Sequence, residues 1–369
     1  MVELKDLCQK ASSNIAQKDL EGHNGQYPIY GASGLIRYVD FYKQEKPYIA
    51  VVKDGAGIGR VMSLPAKSSV IGTMQYILPN AGIDVRYLAF AMENMNLSKY
   101  FSGATIPHIY FKDYCTEKLP EYSENEQKQI ASALGQVTNL ISLRKQQLAK
   151  LDELVKARFV EMFGDSVANT KNFPSTTLET VMTVFPQNGL YKPQTDYVQD
   201  DTGIPILRID AFYNGKVTNW NTLKRLICSE TEIDRYLLRE NDIVINRVNS
   251  IEYLGKCAHI VGLKEKTVFE SNMMRFHMDE KKVNAVYVTE VLCTEDIYRQ
   301  ILRRAKKSVN QASINQEDVK SLEILVPPLS LQNQFAAFVE RVDQQKQIVQ
   351  QSLEKLELMK KALMQEYFG

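Results

Sequence analysis

Cysteine is scarce in this chain. The five residues, Cys8, Cys115, Cys228, Cys257 and Cys293, are widely scattered and form no CxxC pair. That excludes a disulfide framework and offers no zinc spacing. The four histidines are isolated, and none has HxxxH spacing, so no metal role is indicated. No apolar run is long enough to span a bilayer, and the opening MVELKDLCQK lacks the apolar stretch of a secretory signal. A cytoplasmic protein with no membrane partner is therefore expected. A charge excess is missing too: 45 Lys and Arg stand against 44 Asp and Glu. A protein that binds nucleic acid alone over a large surface carries a clear positive excess. Any such binding here is local, or shared with a basic partner. Asp and Glu are plentiful, yet no spacing among them suggests a nuclease or paired-carboxylate site.

What the chain does have is one long uninterrupted helical stretch, roughly Ser123 to Gly164. It contains no Pro, and its only Gly before the end is Gly135. Apolar residues recur at steps of four and three: Ile130, Leu134, Val137, Ile141, Leu148, Leu151, Val155 and Met162, with Arg144 and Arg158 in two of the slots. This is the a/d pattern of a coiled-coil seam. Ser123 followed by Glu126 reads as a capping box, and Gly164 as a helix stop. At 1.5 Å per residue, about 42 residues make a rod of about 60 Å. A seam needs a partner helix, and the last forty residues supply one. Phe335, Phe338, Val342, Val349, Leu356, Met359 and Leu363 follow the same alternation, with Gln345 and Ser352 in two central slots. The two stretches share a similar layout: Pro120 matches Pro327, Ser123 Ser330, Gln127 Gln334 and Gly164 Gly369. This is an internal repeat of roughly 205 residues.

The repeat extends into the globular segments. TTLETVM at Thr176 answers VELKDLC at Val2, and Pro205 in GIPILRID answers Pro28. NDIVINRVNSIEYLGK at Asn241 answers YIAVVKDGAGIGR at Tyr48, and VFESNMMRFHM at Val268 answers VIGTMQYILP at Val70. SVNQASINQEDV at Ser308 answers GATIPHIYFKDY at Gly103. The order holds while the offset grows, so the second copy carries insertions. The expected layout is globule over 1–118, helix over 119–165, globule over 166–325 and helix over 326–369. The fold class is α+β: two pseudo-repeated mixed domains of mostly antiparallel short strands, joined by a long antiparallel two-helix coiled coil. The midpoints near Leu143 and Val349 are expected to face each other.

GAGIGR at Gly55 imitates a dinucleotide or S-adenosylmethionine loop. That reading needs a helix directly after the glycines and an acidic residue about twenty positions on. VMSLPAKSSV follows instead, with Pro65, and no acid appears before Asp84. A tight turn between strands fits better, with Lys53 and Arg60 at its ends, where backbone N–H groups and cations can meet phosphate. His108 reads as structural or DNA-proximal. NFPS at Asn172 resembles the NPPF-type loop of adenine methyltransferases only superficially. Arg303, Arg304, Lys306 and Lys307 lie just before SVNQAS, either as a solvated helix face or as phosphate contacts, with Asn310 and Gln311 placed to read adenine edges. Arg144 and Arg158 either set the seam register or face a helix of a partner.

Taken together, these words resemble the specificity subunit of type I restriction–modification systems, over essentially the whole chain. The carriers are two polar-x-x-Ile-x-x-x-Asp…Pro stretches (Gly103 to Pro120 and Ser308 to Pro327), NGLYKP at Asn188, and the two closing helices. The resemblance implies a non-catalytic scaffold with two target-recognition domains, each reading half of a bipartite duplex DNA site. The coiled coil would serve as ruler and as docking surface for two methyltransferase subunits, with restriction and translocase subunits where present. It implies no cofactor on this chain, and S-adenosylmethionine, ATP and Mg2+ on the partners. DNA contacts, chosen by matched position in the two copies, are Lys53, Arg60, Thr73, Gln75 and Thr105 in the first, and Arg247, Lys256, Asn272, Arg275, Asn310 and Gln311 in the second. Arg144 and Arg158 are the candidate partner contacts. Two rivals stand beside this reading. A stand-alone DNA adenine methyltransferase needs a cofactor loop and an NPPY-type tetrapeptide, and the sequence lacks both. A coiled-coil adaptor without a DNA role gives no reason for two divergent globular copies.

Overall fold

The computed structural model describes residues 1–102, 107–200 and 202–369. It divides into two compact units, Met1–Leu148 with Ile348–Gly369, and Ala149–Gln347. Two helices of 40 residues each, the central Glu124–Phe163 and the closing Leu329–Phe368, contribute to both units. Among the described residues no helix is long and apolar enough to cross a membrane.

In the first unit a four-stranded antiparallel sheet runs in the order Cys8–Ser12, Met74–Pro79, Tyr48–Val52, Val61–Leu64. Tyr48–Val52 is buried along its whole length, as expected for a central strand covered on both faces. One cover is the helix Val85–Asn94, whose Tyr87, Leu88, Ala91 and Met92 pack with Ile49, Val51 and Ile77. Asp84 starts this helix by accepting from the N–H groups of Arg86 and Tyr87. A second sheet sets Gly34–Val39, Tyr27–Gly31 and Ser69–Val70 side by side, the last pair parallel.

The second unit repeats this plan. Met182–Asn188, Met273–Met278, Asp242–Asn246 and Cys257–His259 follow the same order, and Ile204–Leu207 pairs in parallel with Val268–Phe269. The insertions are now located. The hairpin Phe212–Tyr213 to Gly215–Val217 extends the large sheet to six strands, the helix Glu230–Tyr236 is additional, and Glu295–Arg304 lengthens the short turn Leu97–Tyr100 of the first unit. The inserted hairpin turns on Asn214 and Gly215, both at positive φ (48° and 79°). This Asn-Gly pair suits the primed turn that matches strand twist.

Both heads are fixed to the helices by the same device. Gln127 is buried; its Oε1 accepts from the N–H of Asp84 at 2.9 Å and its Nε2 donates to the Tyr122 carbonyl at 2.9 Å. Gln332 is also buried, accepting from the Asn284 N–H at 2.9 Å and donating to the Pro327 carbonyl at 2.7 Å. The Tyr87 hydroxyl donates to the Pro120 carbonyl, and the Tyr287 hydroxyl to that of Leu325, each at 2.9 Å. Phe368 packs on Tyr87 and Phe163 on Tyr287, with ring centroids 5.6 and 4.7 Å apart. These contacts correct the repeat register. The counterpart of Gln127 is Gln332, not Gln334, and that of Pro120 is Leu325, not Pro327. The sequence pairing slipped by two residues because Pro and Ser recur at similar spacing after Leu325. We expect Gln332→Leu, which leaves an N–H and a carbonyl without partners, to destabilise the second unit by about 2–4 kcal/mol in chemical denaturation.

The central-helix seam is as expected. Ile130, Leu134, Val137, Leu151 and Val155 are buried, and Ile141, Arg144, Leu148, Arg158 and Met162 are half-buried. Ser123 and Glu126 form the capping box, with the Ser123 N–H donating to Glu126 Oε2 at 2.8 Å. Gly164 ends the helix at φ 76°. The closing-helix seam differs. Phe335, Val339, Val342, Val349 and Leu353 are buried, whereas Met359 is 52% exposed and Gln345 is exposed. Of the nine expected slots, those at 335, 342, 349, 356 and 363 hold, and the other four lie one residue later. The slots at 346 and 360 are lysines. Lys346 pairs with Asp152, and Lys360 reaches Glu93 at 2.9 Å. Phe338, expected in the seam, is half-buried under the Arg158 guanidinium, 5.8 Å from its ring. Pairing within the first unit, Arg144 Nε to Ser352 Oγ at 3.2 Å, sets Val349 opposite Leu148 rather than Leu143.

Candidate nucleic-acid interface

Three short strands in the second head form a projecting ribbon. Val248–Asn249 pairs with Ala312–Ser313, which pairs with Lys306–Lys307. The tip closes by the Ser308 N–H donating to the Gln311 carbonyl at 2.7 Å, and Val309 is 96% exposed. Its base is anchored. Arg304 ends the preceding helix by donating from Nε to Ser321 Oγ and from Nη2 to the Ser321 carbonyl, each at 3.0 Å. Ala312 and Ile314 on the returning side are buried. Lys306, Lys307, Asn310 and Gln311 are all exposed. A two-stranded antiparallel ribbon such as Lys306–Lys307 with Ala312–Ser313 can enter a major groove, where Asn and Gln can pair with an adenine edge and Lys with phosphate. Arg304, by contrast, is occupied inside the head.

The same framework exists in the first head as single bridges, Asp54 to His108 and His108 to Ser102. His108 Nδ1 lies 2.6 Å from Asp54 Oδ1, which gives this histidine a structural partner. Thr105 falls between Ser102 and His108, outside the described residues.

The loop behind each ribbon is built alike. The Thr73 carbonyl accepts from the N–H groups of Lys53 and Asp54, and the Asn272 carbonyl from those of Arg247 and Val248. The Val52 carbonyl accepts from the Gly59 N–H, and the Asn246 carbonyl from that of Gly255. Lys53 is thus the counterpart of Arg247, Thr73 of Asn272 and Arg60 of Lys256. Gly59 (φ 81°) leaves no room for a side chain: a Cβ there would lie 2.5 Å from the Ser98 nitrogen. GAGIGR runs straight into the strand Val61–Leu64, which is the turn geometry and not that of a cofactor loop. Among the described residues, no group of three or more His, Cys, Asp or Glu is placed to hold a metal ion.

A family model described as "Type I restriction modification DNA specificity domain" matches residues 1–153 and 173–358. The chain belongs to this specificity family. Among curated relatives, the EcoKI specificity subunit of Escherichia coli is 24% identical over 72% of this chain and 58% of its own length. The MjaVIII specificity subunit of Methanocaldococcus jannaschii is 24% identical over 98% of this chain and 89% of its own. The putative MjaX specificity subunit of the same organism is 30% identical over 49% of this chain, which spans 42% of that relative's length. A solved S subunit of a type I system from M. genitalium shares the fold at a TM-score of 0.68, with 14% identity over all of this chain and 95% of that one. Membership in the specificity family supports neither rival, the stand-alone methyltransferase or the DNA-free adaptor.

Within this specificity-family frame, several anticipated contacts prove to be internal. Gln75 is buried and accepts from the Tyr114 hydroxyl at 3.2 Å. Arg275 is buried too, donating to Asp242 Oδ2 at 3.4 Å and to Gln187 Oε1 at 2.9 Å. Nor are these two counterparts: Gln75 pairs with Val51, whereas Arg275 pairs with Val244, one step further along its strand. Neither side chain can reach a base from there. Arg247 donates to the Ser271 carbonyl at 3.0 Å, and Asn272 Nδ2 to Glu270 at 3.4 Å. Thr73 is exposed, and Lys53 lies 3.6 Å from Asp54. Arg60 donates to the Ala32 carbonyl at 2.7 Å, and Lys256 to that of Ile209 at 3.1 Å. Arg144 and Arg158 engage the closing helix of their own units. In NGLYKP, Leu190 is buried, Tyr191 is exposed, and Lys192 is paired with Glu232 and Asp196. Sequence reasoning missed Tyr213 and Tyr253, both large and exposed. The Asn-Gly turn beside Tyr213 was the available signal.

Proposed function

We propose that this chain is the DNA-recognition and scaffold component of a type I restriction–modification assembly, each head reading one half of a bipartite duplex site. The observation that carries this is the doubled construction. The same sheet order, helix clamp and loop framework occur twice in one chain, with different side chains at matched positions: Lys53 and Arg247, Arg60 and Lys256, Thr73 and Asn272. A doubled reader with non-identical faces suits a target whose halves differ. The small net charge fits a reader that shares phosphate binding with partners. Chemistry then belongs to two methyltransferase subunits and, where present, restriction and translocase subunits, which would hold S-adenosylmethionine, ATP and Mg2+. The helix pair is the proposed spacer between half-sites.

The test is a head exchange. Residues 169–325 are replaced by the corresponding head of a relative, the chain is co-expressed with its methyltransferase, and the methylated motif is read genome-wide. One half of the motif should change and the other stay. A change in both halves, or in neither, sinks the independent-reader model.

A further inference from the structure

Lys256 is held in a way that a phosphate contact would not be. Its Nζ donates to the Ile209 carbonyl at 3.1 Å and sits 3.5 Å from the Tyr213 ring centroid, 5.0 Å from Phe212 and 5.7 Å from Tyr253. Burial pushes its ammonium below the ordinary lysine range. The first head repeats the link. Ile206 and Ile29 occupy the same place beside their parallel partner strands, so Ile209 is the counterpart of Ala32, the residue whose carbonyl accepts from Arg60. In both heads, then, the cation that ends the loop behind the ribbon ties that loop to the backbone after the strand. Among the described residues, only the second head adds the rings. Phe212 is fully buried, but Tyr213 and Tyr253 are 49% and 50% exposed. Tyr253 ends the single turn Ile251–Tyr253 that follows Val248–Asn249, an edge strand of the ribbon. Tyr213 precedes the Asn-Gly turn that exists only in this copy. A cation between two tyrosine faces holds both rings at one orientation before any ligand arrives, which lowers the ordering cost of binding.

We propose that Tyr213 and Tyr253 form an aromatic contact to the DNA of the second half-site, and that Lys256 is a positioning residue that holds them. The proposal rests on the DNA-reading role of the second head. It adds that the loop behind the ribbon meets the duplex through rings lying against sugars and thymine methyl groups, rather than through the lysine charge.

The test uses the full chain assembled with its methyltransferase and a duplex carrying the methylated motif, with affinity measured over a range of salt. Tyr213→Ala with Tyr253→Ala should weaken binding roughly tenfold, as expected for loss of about 1.4 kcal/mol of groove contact. Lys256→Met should weaken binding while leaving the slope of log affinity against log salt unchanged, and Lys256→Arg should restore it. A phosphate-bound lysine would instead lower that slope by about one when removed, and such a drop overturns the positioning role. Nitration of the wild-type assembly covers the case in which the alanine variants fail to fold. The specific duplex should protect Tyr213 and Tyr253 from the reagent; equal nitration with and without duplex overturns the contact. If the wild-type assembly does not bind its motif at all, the DNA-reading role itself fails, an outcome distinct from normal binding by the tyrosine variants.

Discussion

Asp242→Ala is expected to destabilise the second unit by about 3–5 kcal/mol, the usual cost of removing one partner of a buried ion pair. Asp242 is wholly buried. Its Oδ2 accepts from the Arg239 N–H at 2.8 Å and from Arg275 at 3.4 Å, and its Oδ1 lies 2.9 Å from His277 Nδ1. Removing the carboxylate leaves Arg275 charged inside the sheet with only Gln187 as a side-chain partner, and Arg275 Nε already lacks one. The desolvation of that cation then goes uncompensated. The pair itself contributes little net stability, so Asp242→Ala with Arg275→Met should recover most of the loss. Trp220, the only tryptophan, lies in this unit and donates to the Val261 carbonyl at 3.0 Å. Its fluorescence therefore reports the second head alone. With a urea slope of about 2–3 kcal/mol per molar, the midpoint should fall by about 1–2 M in the single variant. A shift below about 0.3 M would show that the cluster relaxes to admit water, and that the buried-charge account is wrong.

Asp242 also shows why the site was harder to read than the fold. Arg275 reads as a base contact by matched position in the two copies, which is all that the letters supply. The carboxylate that holds it lies 33 residues earlier on a neighbouring strand, and only the pairing register brings them together. Lys256 misled in the same way, since the Ile209 carbonyl and the rings around it come from another part of the chain. The central helix was legible because its signals are local. A capping box, an unbroken four-three alternation and a terminal glycine all act within a few residues of each other. The closing helix was half legible. Phe335, Val342 and Val349 are shared by two alternations that differ in whether the intervening slot falls three or four residues on. Phe338 and Met359 argued for one, Val339 and Leu353 for the other. Packing against the central helix chose the second, a choice made by the partner surface and absent from the helix's own letters. The two-residue slip in the repeat has the same origin. Gln127 and Gln332 are equivalent by what they bond, whereas Gln334 matched only by its neighbours in sequence.

The register of the helix pair leads to the largest expected effect on function. Removing Ile141–Gln147 from the central helix and the opposing Gln350–Leu356 from the closing helix should abolish methylation at the native site. Each deletion is one heptad, so both four-three alternations stay in phase and the remaining seam can close. The opposing segments are fixed by Arg144 bonding Ser352 and Lys145 pairing with Glu357 at 2.9 Å. Seven residues shorten each helix by about 10 Å. Along B-DNA that distance is about three base pairs at about 3.4 Å each. Three base pairs also turn a half-site by about 100° around the duplex, given roughly 10.5 base pairs per turn. A proposed spacer of altered length therefore presents the second head to the wrong face of its half-site, not merely to a displaced one. Methylation should move to sites with a spacer about three base pairs shorter, at reduced efficiency, or be lost. Deleting Ile141–Gln147 alone should be worse, because the closing helix then faces a seam with one heptad missing and Ser352 loses its partner. Genome-wide methylation mapping of the two deletion strains, beside the parent, separates these outcomes. If the double deletion assembles with its methyltransferase and modifies the parental spacer length unchanged, the helix pair does not set the spacing.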